Sequence, residues 1–352
     1  MNIQTVKEYY GQTLSSSADL KTDACTTLAA PPRHIIDALA AVNDEVSSRY
    51  YGCGLAIPAV LDGLKVLDLG CGAGRDVFAL AKLVGENGHV TGVDMTAEQL
   101  AVARAHEAWH AEQFGYAAPN TRFIEGYLET LDDLDLEEGS FDLIISNCVI
   151  NLCTDKPAVF RAAYKLLKPG GELYFSDVYA DRRIPQTLVE DPILYGECLS
   201  GALYWTDYQE IVKSAGFIDP RVVDHRRLAI IDPALKAKTD PIRFASVTAR
   251  LIKLPSLDAA CEDYGQAVIY EGGVAGMERI FKLDTGHEIE AGRVFPVCRN
   301  TLAMLMETRF ADAFEVLGDG ETHFGLFPGC AAPDVFAEEV ISADPAPVGG
   351  CC

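Results

Sequence analysis

The chain has 352 residues, of which 49% are hydrophobic, and a formal net charge of −23 from 52 acidic and 29 basic side chains. This length can bury a full core and exceeds the usual size of one domain, so we expect two or three domains. Such an acidic chain lacks the basic face that nucleic acids and anionic lipids attract, which favours a small or neutral substrate. No signal core or apolar run near 18 residues is present, so we expect a cytoplasmic protein with no membrane partner.

The first half of the chain predicts an α/β fold. A helical pattern covers residues 32–50, and from Leu64 strands and helices alternate, which is typical of a doubly wound parallel sheet. The predicted strands are Lys65–Leu69, His89–Asp94, Arg122–Glu125, Phe141–Asn147 and Glu172–Val178. Thr96 with Gln99, and Thr206 with Gln209, have the spacing of a helix capping box.

The alternation weakens after Asp181. Helices are predicted at 188–199 and from Thr206 to about Gly216, and strand-like runs follow at 221–231 and 242–254. From about Pro255 the chain is punctuated by Gly, Pro and aromatic residues, which indicates a small domain of short strands. We expect residues 344–352 to be disordered.

The loop KVLDLGCGAGRD (Lys65–Asp76) resembles the loop that holds S-adenosylmethionine in the seven-strand methyltransferases. An apolar run ends at Asp68, and three alternating glycines follow, namely Gly70, Gly72 and Gly74. A dinucleotide fingerprint would need a glycine at Arg75, and an ordinary glycine-rich turn is the remaining alternative. Asp94 ends the next strand, where a carboxylate can accept hydrogen bonds from ribose hydroxyls. We therefore predict a Rossmann-like seven-strand methyltransferase sheet with S-adenosylmethionine as methyl donor.

Eleven cysteines in a chain without a secretion signal suggest reactive thiols rather than a disulfide framework. Cys148 follows the Phe141 strand, at the edge where ligands of open parallel sheets bind, and a thiolate there suits a soft acceptor. Other cysteines are interpreted as structural, namely Cys71, Cys153, Cys261, Cys298 and Cys330, and the tail pair Cys351 and Cys352 has no predicted role. His106 and His110 are interpreted as a solvated helix face rather than a metal site.

The chain also contains several longer motifs. These are YYGCGL, DLGCGAGRD, GHVTGVDM, SNCVINL, GGELYFSDVY, YGECLSGALYW, CEDYGQAVIY and GRVFPVCRNT. Together, from about Val6 to Cys330, they resemble the arsenic(III) S-adenosylmethionine methyltransferases. That family methylates arsenite and then methylarsenite, a reaction of arsenic detoxification.

The resemblance implies roles for individual residues. Four functional cysteines map onto Cys25, Cys53, Cys148 and Cys198. Cys148 and Cys198 would be the persistent arsenic ligands, Cys53 the third ligand, and Cys25 the thiol that forms a disulfide when the pentavalent product is reduced. The donor contacts would fall on Tyr51, Gly70, Asp94, Met95, Leu128, Glu129, Asn147 and Val149, together with Asp68 and Gly72 of the loop.

These interpretations divide the chain into four parts. Residues 1–180 would form the S-adenosylmethionine-binding methyltransferase domain, which includes an N-terminal thiol-bearing segment. Residues 181–254 would form an arsenic-binding middle domain. Residues 255–343 would form a small C-terminal domain of unknown role, and residues 344–352 would form a disordered tail. The expected partners are arsenite and methylarsenite, free or as glutathione conjugates, and a thiol reductant such as thioredoxin or glutathione; we expect a monomer.

Two alternatives stay open. One is a non-catalytic, thiol-based metalloid-binding or redox-sensing protein, which would bind arsenic without transferring a methyl group. The other is a small-molecule carbon or oxygen methyltransferase, which would need a base such as His or Glu beside the methyl group. The motif SNCVINL offers no such base.

Overall fold

Strands and helices alternate from Lys65 to Ile252 in the computed structural model, which describes residues 31–50, 55–196 and 198–329. Two short helices come first, α1 (Arg33–Ala40) and α2 (Asp44–Ser48). The alternating stretch contains β1 (Lys65–Leu69), α3 (Arg75–Leu83), β2 (His89–Asp94), α4 (Ala97–Ala105), α5 (Glu107–Phe114), β3 (Thr121–Glu125), β4 (Phe141–Asn147), α6 (Lys156–Leu166), β5 (Leu167–Ala180), α7 (Gln186–Val189), α8 (Pro192–Gly196), β6 (Leu203–Tyr204), α9 (Trp205–Ser214), β7 (Arg221–Arg227), α10 (Pro233–Thr239) and β8 (Phe244–Ile252). None of the described helices is long and apolar enough to cross a membrane.

The main sheet has eight strands in the order β3-β2-β1-β4-β5-β8-β7, with β6 paired to the end of β5. Strands β1 to β5 are parallel, whereas β8 runs antiparallel to β5 and β7 antiparallel to β8. The predicted α/β fold is therefore confirmed. The carboxyl ends of β1, β2 and β4 meet at one edge, where such sheets bind ligands.

Both faces of this sheet are covered, which explains why its strands read as apolar runs. Successive side chains of a strand point to opposite faces. Accordingly Val66 packs into one core cluster and Leu67 into the other, and both are fully buried. The bounds of β1, β2 and β4 match the sequence prediction, and β3 and β5 extend beyond it.

Several predicted helix features are wrong. The pattern over residues 32–50 is two helices, because Asn43 Oδ1 accepts the backbone N–H of Glu45 and starts α2. Thr96 makes no side-chain cap for α4, and its backbone N–H donates to Asp94 Oδ1. Helix α9 begins at Trp205, so Thr206 lies inside it and caps nothing.

The stretch predicted as one helix over 188–199 is likewise divided. It contains α7 and α8, because Asp191 Oδ1 accepts the backbone N–H groups of Ile193 and Leu194 and so restarts the helix. The sequence analysis did not predict helix α10, which lies between the strands β7 and β8.

Residues 181–254, predicted as a separate middle domain, extend the main sheet. Strand β8 pairs with β5 over nine residues, from Glu172 opposite Ile252 to Ala180 opposite Phe244. The chain division at 180/181 therefore cuts across one continuous sheet, because the strands on its two sides share their backbone hydrogen bonds.

The chain after Pro255 forms the short strands that its composition predicts, with one additional helix. The elements are β9 (Glu262–Asp263), β10 (Gln266–Tyr270), β11 (Ile280–Asp284), β12 (His287–Glu290), β13 (Val294–Val297), α11 (Arg299–Met306), β14 (Phe314–Leu317) and β15 (Gly325–Leu326). They form the sheet β13-β10-β14 and the pairs β11–β12 and β9–β15, packed on a core that includes Tyr270, Phe281 and Phe314. The predicted disordered tail lies outside the described residues.

A buried ionic cluster joins this C-terminal part to the main sheet. Glu172 on β5 accepts hydrogen bonds from Arg250 on β8 at 3.1 Å and from Arg309, after α11, at 2.7 Å. Burial alone would raise the pKa of Glu172, but the two guanidinium groups hold this pKa below its usual value. The carboxylate is therefore charged and shared by both parts of the chain.

Candidate functional site

A cleft lies along the carboxyl ends of β1, β2 and β4 and encloses, with its open mouth, about 1160 Å³. All described residues of the predicted donor site line it, namely Asp68, Gly70, Gly72, Asp94, Met95, Leu128, Glu129, Asn147 and Val149. Tyr51 lies outside the described residues. The structure thus brings together side chains from four separate stretches of sequence in one concave site.

The glycine loop lets two backbone segments approach closely. Gly70 has a φ of +78°, and a Cβ there would lie 2.5 Å from the side chain of Val149. The backbone N–H of Gly70 donates to the carbonyl of Val93 at 2.8 Å, which fixes the loop against β2. Only glycine fits this position, and the floor of the cleft stays open to a ligand.

Asp94 is held at the base of the cleft by two backbone groups. Its Oδ2 accepts the N–H of Gly72 at 2.9 Å, and its Oδ1 accepts the N–H of Thr96 at 2.8 Å. Asp94 is the last residue of β2, and a carboxylate at this place in such a sheet can accept hydrogen bonds from ribose hydroxyls. Burial raises the pKa of the neighbouring Asp68, and the carboxylates of Asp76 and Asp94 raise it further.

One wall of the cleft contains residues that the sequence analysis missed. The hydroxyl of Tyr50 accepts a hydrogen bond from Asn147 Nδ2 at 2.5 Å. The guanidinium of Arg75 stacks over the Tyr50 ring at 3.0 Å from its centroid and pairs with Asp76 at 2.7 Å. Arg75 directly follows the glycine loop, which was the available signal, whereas nothing local marks Tyr50 in preference to Tyr51.

The structure places the two predicted persistent arsenic ligands side by side. Cys148 follows β4 and lines the cleft, and Cys198 lies in the turn after α8. The Cys198 thiol donates to the carbonyl oxygen of Cys148 at 3.5 Å, and the two residues are 5% and 3% exposed. Neither is in a disulfide. Cys25 and Cys53 lie outside the described residues, so their predicted roles stay predictions.

The thiol pair belongs to a cluster of buried apolar side chains. The cluster contains Cys148 and Cys198 with Val178, Ala180, Leu194, Leu199, Ala202, Leu235 and Phe244. Most of these residues come from the stretch 181–254 that was predicted to bind arsenic. Thiols in an apolar environment suit a soft, thiophilic ligand better than a hard cation.

The remaining described cysteines are buried or partly buried, and Cys71 and Cys153 also line the cleft. Cys71 is buried beneath Gly92, where an added Cβ would lie 2.7 Å from its Sγ. Burial raises the pKa of the Cys71 and Cys153 thiols, which keeps both protonated. Cys298 is also buried, and Cys261 is partly exposed. Among the described residues, no three His, Cys, Asp or Glu side chains are grouped as metal ligands.

The interpretation of His110 as part of a solvated helix face is wrong. His110 is only 2% exposed, and its ring stacks on Phe78 with centroids 3.6 Å apart. Its Nε2 accepts the backbone N–H of Asn43 at 3.1 Å, and its Nδ1 lies 2.8 Å from the carbonyl of His106. Burial lowers the pKa of His110 to about 4. The helix is interrupted at His106, between α4 and α5, and this change of direction places the His110 side chain in the core.

Known proteins resemble this chain over nearly its whole length. A methyltransferase-domain family model matches residues 61–216, and an arsenite methyltransferase C-terminal domain model matches residues 264–346. The arsenite methyltransferase of Aquipseudomonas alcaligenes is 58% identical over 327 residues, which cover 93% of this chain and 94% of that protein. The human arsenite methyltransferase is 42% identical over 363 residues, covering 99% of this chain and 95% of that protein.

A solved structure agrees with these matches. The crystal structure of an arsenic(III) S-adenosylmethionine methyltransferase from Chlamydomonas reinhardtii has a TM-score of 0.82 and 46% sequence identity, and covers 85% of this chain and 100% of that chain. With a methyltransferase cleft and a buried thiol pair beside it, the chain belongs to the arsenite methyltransferase family.

Proposed function

We propose that this S-adenosylmethionine-dependent methyltransferase moves methyl groups to trivalent arsenic held by its own thiolates, first to arsenite and then to methylarsenite. The observation that carries the proposal is the position of Cys148, which lines the methyl-donor cleft and contacts Cys198. An acceptor held by this pair lies next to the donor, so both reactants of the methyl transfer are bound close together in one site.

The cleft suits the donor. Gly70 and Gly72 line the cleft without side chains, and Asp94 stands at the end of β2, where sheets of this kind bind ribose hydroxyls. The described residues of the predicted donor site, Gly70 and Asp94 among them, would hold it, and the donor supplies a methyl group on a sulfonium. Asn147 and Val149 come from the same loop as Cys148, which supports a donor methyl near the thiols.

The chemistry of the acceptor requires no general base. Trivalent arsenic carries a lone pair that attacks the methyl carbon directly, whereas a hydroxyl or carbon acid must first lose a proton. Among the described residues that line the cleft there is no histidine. Glu129 Oε1 accepts hydrogen bonds from the N–H and the hydroxyl of Thr154 at 2.8 and 3.1 Å. This supports arsenic over an oxygen or carbon acceptor.

The proposed turnover includes a reduction by protein thiols. After methyl transfer, arsenic is formally pentavalent and bound to three cysteine sulfurs. The bond from arsenic to the Cys53 sulfur breaks, a Cys25–Cys53 disulfide forms, and arsenic regains two electrons. Methylarsenite then stays on Cys148 and Cys198. Thioredoxin or glutathione reopens the disulfide by thiol exchange, and the cellular role would be arsenic detoxification.

The test follows the products made from each substrate separately. The protein is given arsenite or methylarsenite with S-adenosylmethionine and excess thiol, and arsenic species are resolved by chromatography with mass detection. Arsenite has three exchangeable positions and methylarsenite two, so Cys53→Ser and Cys25→Ser should stop the first methylation and spare the second. Cys261→Ser is the control and should leave both steps unchanged.

Two outcomes would contradict the proposal. Arsenic that binds through the thiols without any methylated product would indicate a metalloid-binding or sensing protein. Equal losses on both substrates in Cys25→Ser and Cys53→Ser would refute the division between ligand pair and reducing pair.

A further inference from the structure

Both cysteines of the thiol pair have an unusual backbone conformation. The φ angles are +55° at Cys148 and +58° at Cys198, in the left-handed region that side chains other than glycine rarely adopt. Such conformations persist only when surrounding contacts enforce them. The spacing of the thiols therefore depends on residues that hold the two turns in place.

One set of contacts comes from Asp177 on β5. This carboxylate is 1% exposed, and its two oxygens accept the backbone N–H groups of Asn151 at 2.9 Å and Val178 at 3.0 Å. Asn151 in turn donates from Nδ2 to the carbonyl of Val178 at 2.5 Å. These bonds fix residues 148–152, here called the Cys148 turn, to the strand behind it.

A second set of contacts reaches the same turn from the Cys198 side. The Tyr195 hydroxyl donates to the carbonyl of Leu152 at 2.5 Å, and the backbone N–H of Cys198 donates to the carbonyl of Tyr195 at 3.0 Å. Gly201 lies so close that a Cβ there would be 2.2 Å from the carbonyl oxygen of Asn151. The Cys148 turn is thus the common support of both cysteines.

We propose that Asp177 is a positioning residue that sets the spacing of the Cys148 and Cys198 thiols by holding the Cys148 turn. The role rests on the proposed function, in which this pair binds methylarsenite. It depends on the carboxylate as a hydrogen-bond acceptor and not on its charge. Without it, the buried N–H of Asn151 loses its partner, and the turn moves to find another.

If the Asp177 carboxylate acts as a hydrogen-bond acceptor, two substitutions at this position should weaken methylarsenite binding to different extents. Asp177→Ala removes both acceptors, so the Kd for methylarsenite should rise by about tenfold or more. Asp177→Asn keeps one amide oxygen for the Asn151 N–H, so its Kd should stay within about threefold of the parent value. In both variants the Kd for S-adenosylmethionine should change less than the Kd for methylarsenite, because the Cys148 turn supports both thiols but contains, of the predicted donor contacts, Val149 alone.

Asp142→Ala is the matched control. Asp142 also accepts a backbone N–H across the sheet, from Lys65 at 2.8 Å, but it lies near the amino end of β4, far from the thiol edge. Both Kd values should be unchanged in this variant. Calorimetric titration of each protein with methylarsenite and with S-adenosylmethionine gives the two constants.

Gly201→Ala tests the same support from the other side and is needed if Asp177→Ala does not fold. The new methyl group would displace the Asn151 carbonyl, so the Kd for methylarsenite should again rise by about tenfold, with a smaller change in donor binding. An unchanged Kd in Gly201→Ala or Asp177→Ala overturns the proposal. So does an Asp177→Asn protein as weak as Asp177→Ala, or a parallel loss of donor binding.

The parent protein is measured in the same series. If the parent neither binds nor methylates methylarsenite, the proposed function itself is wrong. If the parent does both and the variants behave like it, only the positioning role of Asp177 is wrong.

Discussion

The buried imidazole of His110 should make the stability of this protein depend on pH. Its ring stacks on Phe78, and its Nε2 accepts the N–H of Asn43, which an imidazolium cannot do. Protonation would therefore break a contact between α5 and the residue that caps α2. The folded state favours the neutral ring, and its pKa is about 4 instead of the ordinary value of 6.5.

The size and sign of the effect follow from these two pKa values. The unfolded chain binds a proton at pH values where the folded chain does not, so the free energy of unfolding falls as the pH falls through 6.5 toward 4. The full difference is about 3 kcal/mol, of which about 2 kcal/mol is lost between pH 7.5 and 5. Above pH 7.5 the contribution is fully present.

Urea unfolding of the parent and of His110→Gln, followed by tryptophan fluorescence from pH 7.5 to 5, measures this contribution. Trp109 contacts the His110 ring edge to face at 4.8 Å and reports on the region. The stability difference between parent and variant should shrink by about 2 kcal/mol over this range. His34→Gln, on α1, is the control and should follow the parent at every pH. A parent–variant difference independent of pH would refute the buried neutral ring.

Two further predictions concern the site. Asp94→Ala should weaken S-adenosylmethionine binding by roughly 1.5–3 kcal/mol while the protein stays folded, because hydrogen bonds to a charged acceptor are lost; unchanged donor affinity by calorimetry would remove Asp94 from the donor site. Cys148→Ser and Cys198→Ser each replace a soft ligand with a hard hydroxyl of similar size, so folding should survive and activity on arsenite and methylarsenite should be lost. A Cys198→Ser protein that methylates methylarsenite at the parent rate would show that the acceptor site lies elsewhere.

Local signals were sufficient for the strands and for the floor of the cleft. The strand Lys65–Leu69 is a short apolar run bounded by an acidic residue and glycines, so its ends are marked in the sequence. Asp94 ends the next strand, and the parallel topology brings it to the same edge. The loop glycines and Asp94 could therefore be predicted from the sequence pattern, whereas the other donor contacts are implied only by the resemblance to known methyltransferases.

Long-range contacts could not be predicted in this way. The run at 242–254 predicts a strand but not its antiparallel pairing with β5. The burial of His110 depends on the helix break at His106, which the spacing of the two histidines does not show. The Asp177 contacts with the Cys148 turn join residues 26 positions apart, and no local pattern marks them.

The shared carboxylate of Glu172 limits how far the two halves of this chain can be exchanged between relatives. A methyltransferase half joined to a C-terminal half without an arginine at the place of Arg309 would keep a buried carboxylate with one of its two cations missing. Losing one partner of a buried pair costs about 3–5 kcal/mol, a large part of the stability of an ordinary domain. A stable chimaera would therefore need Glu172 and Arg250 in its methyltransferase half and Arg309 in its C-terminal half.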